Sequence, residues 1–289
     1  MYPPEFKVLV PSSLEEALKL LKEHGDNAKI LAGGHSLIPM MRLRLVKPEV
    51  VIYLGKVPGL RYIRENGSTI KIGAMTTHGE IESSSLLAEK NPLLQETASK
   101  IGDLQVRNMG TIGGSIAHAD PAADYPAALT ALEATVVLKS LDGEREVKVD
   151  EFIQGPYFTD ARPDELLVEV RVPSLSGRFG TAYEKLYFRA TDFAIVGVAA
   201  YVEIDGGAFS RVRVGLTGVG DKPVRARQVE EELVGREASE ASIEKAAALA
   251  SEGLEPPSDV RASSEYRKKM AEVLTKRALT RALSKAKGG

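Results

Sequence analysis

The feature that most constrains this chain is a pair of glycine doublets with hydroxyl neighbours. They are Ala32-Gly33-Gly34-His35-Ser36 and Gly110-Thr111-Ile112-Gly113-Gly114-Ser115. Paired glycines let the backbone reach positive φ and let another group approach with no Cβ in the way. Successive N–H groups in such turns can form an anion-binding nest. Two nests distant in sequence, if a fold joins them, would grip the two phosphates of one pyrophosphate. Read singly, each doublet is more simply a tight turn.

The surrounding pattern says what kind of fold could join them. Phe6 to Val10 reads as a strand closed by Pro11, and Ser12 or Ser13 then caps a helix with Glu15 and Glu16 in its first turn. Leu14, Ala17, Leu18 and Leu21 recur at helical spacing, so one face is buried. Ala28 to Ala32 is a strand feeding the first doublet, Leu37 to Leu45 a helix and Val50 to Leu54 a strand, which makes a β-α-β unit with an extra helix and strand. Leu60 to Ile63 and Thr69 to Ile72 read as a hairpin around Asn66-Gly67. Helices are expected at His78 to Ile81, Pro92 to Ile101 and Asp124 to Leu132, and strands at Ala134 to Ser140, Arg145 to Val149 and Glu165 to Val172. Pro173 to Gly177 reads as a linker. Three alternating stretches follow, Gly180 to Phe188, Ile195 to Ile204 and Arg211 to Thr217, an expected three-stranded antiparallel sheet. Helical segments then run to the end. The expected class is α+β: two α/β units, 1–55 and 56–177, followed by a sheet-plus-helices domain, 178–289.

Several chemistries lack their signatures. No G-x-G-x-x-G follows a strand, and no G-x-x-x-x-G-K-[ST] occurs, which argues against a Rossmann dehydrogenase and a P-loop NTPase. Gly215 to Gly220 reads as a strand end plus turn. Ser36 and Ser115 sit in glycine turns without the G-x-S-x-G of a hydrolase nucleophile. His118, Asp120 and Asp124 lie close together in sequence; a polar turn around Pro121 is the simpler reading, a metal site the alternative. The chain has no cysteine, so it cannot itself hold an iron–sulfur cluster by thiolates. A net charge of −2 gives no electrostatic reason to expect nucleic acid. Met1 to Glu5 lacks the basic and apolar regions of a signal peptide, and no apolar run reaches the ~18 residues of a membrane span. The expectation is a cytoplasmic protein.

Ala32-Gly33-Gly34-His35-Ser36, Thr111-Ile112-Gly113-Gly114 and Tyr183-Glu184-Lys185 together resemble the FAD-binding medium subunit of molybdenum hydroxylases. This is the group of carbon monoxide dehydrogenase, quinoline and nicotinate oxidoreductases, and aldehyde or xanthine dehydrogenases. The resemblance spans essentially the whole chain. It implies the FAD-binding fold of the vanillyl-alcohol oxidase type, with FAD between the two N-terminal units. Ala32, Gly33, Gly34, His35 and Ser36, with Thr111, Ile112, Gly113, Gly114 and Ser115, would hold the pyrophosphate and ribityl region. Ile101 would pack beside the cofactor, Asp124 would bind a ribose or ribityl hydroxyl, and Leu167 would contact the region of the ring. Lys185 would lie at the ring edge, where a cation stabilises the reduced flavin. Phe193 falls where some relatives carry a tyrosine that shields the isoalloxazine. The resemblance further implies a large partner subunit with the molybdenum cofactor and a small one with two [2Fe–2S] clusters. Electrons would pass from the clusters to FAD and then to an external acceptor, in a dimer of heterotrimers. Two rival readings are a free-standing flavin oxidase with FAD covalently attached at His35, and a non-enzymatic binding module.

Overall fold

A computed structural model describes residues 2–288. Its first sheet is small and parallel, with β1 (Lys7–Leu9), β2 (Ala28–Leu31) and β3 (Val50–Tyr53) in the order β1-β3-β2. The helix Leu14–His24 crosses between β1 and β2. Ser13 caps it by accepting from the Glu16 N–H, and Ala17, Leu18 and Leu21 turn inward. They meet Val50, Ile52 and Leu54, and beyond them Val137, Leu166 and Val168 of the next sheet. One apolar cluster therefore joins the first two sheets.

The second sheet is antiparallel. It contains β4 (Ile63–Asn66), β5 (Thr69–Gly73), β6 (Thr135–Ser140) and β7 (Gly143–Lys148). A two-stranded ribbon follows, β8 (Ile153–Gly155) with β9 (Phe158–Thr159), and then β10 (Leu166–Pro173) returns to the centre of the sheet, giving the order β4-β5-β10-β6-β7. The β5–β10 and β10–β6 ladders pair Val170 with both Ile72 and Val136, so the middle of the sheet is apolar. Helices Pro92–Ser99, Ile112–His118 and Asp124–Ala131 supply the largest buried cluster, which includes Leu93, Leu94, Ile116 and Leu129.

The third sheet is β11 (Phe179–Leu186), β12 (Val196–Asp205), β13 (Ala208–Thr217) and β14 (Val224–Arg225), antiparallel and in sequence order. Four strands stand where three were expected: β14 is only two residues long, too short to show an alternating pattern. Two glycines measure how tightly helices pack on this sheet. A Cβ on Gly180 would sit 1.9 Å from the Ala282 carbonyl oxygen, in the helix Ser264–Gly288. One on Gly215 would sit 2.1 Å from the Ala127 carbonyl oxygen, in Asp124–Ala131. The helix Asp124–Ala131 packs on the third sheet and against helices Pro92–Ser99 and Ile112–His118, which explains why its every residue is buried. Buried Arg267 ties the long helix to the sheet, donating to the carbonyls of Ile195 and Gly218 and pairing with Asp259.

The other departures are local. The expected strand Leu60 to Ile63 begins later, at Ile63, and the expected helix Leu37 to Leu45 ends at Arg42. The helices Ser85–Lys90 and Val149–Phe152 were not legible, nor were two others, Leu104–Met109 and Ile112–His118. The second is opened by Thr111, whose hydroxyl accepts from the Gly114 N–H, so the glycine doublet lies inside a helix in spite of its poor intrinsic propensity. No helix among the described residues is long and apolar enough to cross a membrane.

Candidate functional site

The two glycine loops touch. A Cβ on Gly33 would lie 2.2 Å from the Met109 carbonyl oxygen and 2.7 Å from Gly110 Cα, and one on Gly114 would lie 3.6 Å from Ala32 Cβ. Strand β2 delivers the first loop from the parallel sheet; the segment Leu104–Met109 delivers the second. Where they meet, a cavity of about 670 Å³ runs along the seam between the sheets. That is within the size of pockets that enclose small organic ligands.

The loops contribute differently. In the first, Gly34 takes φ +77°, and the N–H groups of Gly34, His35 and Ser36 meet no backbone acceptor among the described residues. Ser36 precedes the helix Leu37–Arg42 without capping it by its side chain. This is a cluster of free donors of the kind a phosphate binds. In the second, Ile112 N–H donates to the Thr76 carbonyl and Gly113 N–H to that of Ala74, at 3.0 and 2.9 Å. Gly114 and Ser115 N–H are satisfied by Thr111. Of this stretch only Thr111 keeps an unengaged N–H among the described residues. The second doublet is therefore not a nest. Its glycines permit close packing: a Cβ on Gly113 would sit 2.5 Å from Ala74 Cβ and 2.7 Å from the Ala74 oxygen.

A buried ion pair lines the same cavity. Lys185 Nζ donates to Asp124 Oδ2 at 2.8 Å and to the Lys100 carbonyl at 2.9 Å, and Tyr183 OH donates to Asp124 Oδ1 at 2.6 Å. Tyr183 and Lys185 are two apart on β11 and so share a face. Gly197, opposite Lys185 on β12, leaves room for the Tyr183 hydroxyl; a Cβ there would sit 2.4 Å from it. Burial raises the Asp124 carboxyl above its ordinary value, against the pull of Lys185 and Tyr183. The lysine expected at a ring edge is thus not an isolated cation. Its charge is balanced by the aspartate expected to bind a hydroxyl.

Of the residues singled out from the sequence, Ala32, Gly33, Gly34, His35, Ser36, Ile101, Thr111, Gly113, Gly114, Ser115, Asp124, Leu167, Lys185 and Phe193 all line this one cavity. Ile112 does not: its side chain is fully buried in the core beside Ile116. His35 is exposed, and its Nδ1 faces the Gly33 carbonyl at 3.0 Å. Leu167 lies next to a register shift in the β10–β6 ladder, which interrupts the regular pairing at the cavity wall. Phe193 is half exposed at the lip.

Other lining residues carried no local signal. Tyr157 lies at the turn between β8 and β9 with φ +57°, its ring 5.0 Å from that of His118 and its hydroxyl 3.3 Å from Asp120 Oδ2. Asp120 Oδ1 accepts from Ala122 N–H, so a polar turn engages the group for which a metal was the alternative. Among the described residues no three His, Asp or Glu are placed to hold a metal ion.

His78 lies where the loops meet. Burial, with the charges of His35 and Arg107, lowers its imidazole to about 4. A base whose folded pKa lies below its unfolded value stabilises the fold fully only above the unfolded value, near 6.5. Urea unfolding of the flavin-free chain should therefore show stability falling as pH drops from about 6.5 to about 4. His78→Phe should flatten that slope; an unchanged slope would show that His78 is accessible to protons in the folded state.

The cavity suits FAD on three grounds seen in the structure: free N–H groups in the first loop, glycines in its wall where the loops touch, and a polar but charge-balanced pair in the same wall. Comparison with known proteins agrees. Residues 4–175 match the family described as FAD binding domain in molybdopterin dehydrogenase, and residues 181–282 match the CO dehydrogenase flavoprotein C-terminal domain. The chain is 43% identical to the carbon monoxide dehydrogenase medium chain of Hydrogenophaga pseudoflava, covering 98% of each. It is 42% identical to the glyceraldehyde dehydrogenase medium chain of Sulfolobus acidocaldarius, over 96% of this chain and 98% of the other. Among solved structures it is similar to carbon monoxide dehydrogenase from H. pseudoflava lacking the Mo-pyranopterin moiety, with TM-score 0.96, 44% identity and 99% of both chains covered. It is also similar to quinoline 2-oxidoreductase from Pseudomonas putida 86, with TM-score 0.94, 34% identity and 99% of both chains covered. A cavity built by both matched regions, in a chain that these relatives match from end to end, identifies the protein as a member of the FAD-binding medium subunits of molybdenum hydroxylases of the carbon monoxide dehydrogenase type.

Proposed function

We propose that this subunit takes electrons from [2Fe–2S] clusters of a partner subunit onto FAD and passes them to an external acceptor. The observation that carries the reading is the contact between the glycine loops over a single cavity that the Asp124–Lys185 pair also lines. FAD, when bound, supplies a ring that exchanges electrons singly or in pairs. The first loop would hold the pyrophosphate through the Gly34, His35 and Ser36 N–H groups. Gly33 would keep the two loops close enough to enclose it, and Gly113 would seat the second loop against Ala74. The Lys185 ammonium, already paired with Asp124, would offer a donor in the cavity wall without adding net charge. His35 points back to its own loop, which supports non-covalent attachment. A large molybdenum-cofactor subunit and a small iron–sulfur subunit complete the unit we propose, assembled as a dimer of heterotrimers in the cytoplasm. We read the chain itself as three units, 1–55, 56–177 and 178–289, because each holds one main sheet.

The full chain, mixed with FAD and freed of excess, should show the two visible bands of a bound flavin, and acid should release the flavin. A protein that is folded yet colourless, both alone and when co-expressed with its two partner subunits, would remove the flavoprotein reading. Flavin retained after acid would instead favour attachment at His35.

A further inference from the structure

His78 is buried against the cavity wall at the junction of the two glycine loops. Its backbone N–H holds the Gly110 carbonyl at 3.0 Å. The two ring nitrogens differ. Nδ1 is fully buried and has no partner among the described residues. Nε2 lies on the loop side, where a Cβ on Gly110 would sit only 2.5 Å away. Beside the ring stands Tyr125, with ring centroids 5.2 Å apart and an interplanar angle of 62°. The Tyr125 hydroxyl is also buried without a partner.

Two adjacent rings, each with an orphaned polar atom, ask for one explanation, since an unmade buried hydrogen bond is costly. A neutral imidazole donates from one nitrogen and accepts at the other. The two atoms do not bond each other; one buried water that accepts from Tyr125 OH and donates to Nδ1 would satisfy both orphans and fix the proton on Nε2. That leaves a neutral donor on the side of the glycine loops. Most other donors there are backbone N–H groups; this one comes from the second sheet's helical layer.

We propose that His78 positions the cofactor by donating from Nε2–H to an anionic oxygen of the bound dinucleotide, with Tyr125 setting its tautomer. The proposal rests on the cavity being the FAD site. Gly110 serves it by leaving open the space beside Nε2. Because burial keeps the ring neutral over the ordinary pH range, the contact adds a directed hydrogen bond and no mobile charge.

The test uses three substitutions in the full chain, with FAD titrated by flavin fluorescence and the bound pyrophosphate followed by phosphorus NMR. Gln places an amide near Nε2, Asn places one near Nδ1, and Phe keeps the ring without either nitrogen. His78→Phe and His78→Asn should weaken FAD at least about tenfold, as for one lost hydrogen bond to a charged oxygen. His78→Gln should stay within about threefold of the unaltered chain and restore the phosphorus shifts that His78→Phe moves. Tyr125→Phe should fall between. Equal affinity and unmoved phosphorus signals across the set would overturn the proposal, and so would rescue by Asn instead of Gln. Should His78→Phe not fold, the Gln–Asn comparison decides alone. An unaltered chain that takes up no FAD would overturn the flavin reading and this inference with it, an outcome distinct from variants that bind as well as the original.

Discussion

Lys185→Met should destabilise the protein by about 3–5 kcal/mol, the cost of leaving one partner of a buried ion pair uncompensated. The Lys185 and Asp124 side chains are 1% and 4% exposed, so solvent cannot take over the lost charge. The methionine would also abandon the Lys100 carbonyl and leave Asp124 with only the Tyr183 hydroxyl. In thermal unfolding this corresponds to a fall on the order of 10 °C for a chain of this size. Replacing both partners, Asp124→Leu with Lys185→Met, should recover much of the loss, because two apolar groups leave no buried charge. A single-variant loss under about 1 kcal/mol would place the pair in the class of solvated surface bridges and contradict its burial. Flavin uptake separates the structural role from the binding one. If the double variant folds but takes no FAD, the pair also serves the cofactor.

Gly33→Ala should abolish tight FAD binding while leaving the parallel sheet largely intact. The new methyl would have to share space with the Met109 carbonyl oxygen, 2.2 Å away, and the neighbouring backbone cannot swing aside as a flexible side chain could. Overpacking of this kind costs about 1–3 kcal/mol, and relief comes from parting the two loops. We expect affinity for FAD to fall by about a hundredfold or more, near 2.7 kcal/mol, measured by fluorescence titration. Gly67→Ala is the matched control. Gly67 has φ +62° in a hairpin turn with open space around it, so alanine there meets only backbone strain of about 1–2 kcal/mol and no loop contact. A Gly33→Ala protein that binds FAD within about threefold of the original would show that the loops need not touch.

Much of this was legible in the sequence because local physics decided it. Ser13 before Leu14, the strand-forming runs of β11 to β13, and a hairpin turn at Gly67, one residue on from the Asn66-Gly67 centre expected, each follow from side-chain chemistry within a few residues. The glycine doublets were visible too, but their separate roles were not. Whether an N–H is free depends on what passes nearby, and the segment from Ala74 to Thr76 takes those of Ile112 and Gly113. The Asp124–Lys185 pair was out of reach for the same reason, since its members are 61 residues apart in sequence and joined only by the packing of a helix on a sheet. Ile112 shows the limit at one position. It belongs to a motif that faces the cavity, yet helix geometry turns its side chain into the core. His78 and Tyr157 gave no signal because a single aromatic residue carries no periodicity.

The cavity wall draws on residues from Leu21 to Phe193, and this imposes an order in time. When the first glycine loop leaves the ribosome, the lysine that lines the same cavity has not been made. Roughly 150 residues must follow, on the order of 10–30 s of synthesis at ordinary rates. Cofactor capture is thus a late event in the life of the nascent chain, after about two thirds of it has been translated. A truncation between Ser115 and β11 would yield a polypeptide that carries both glycine signatures and still has nowhere to keep a flavin.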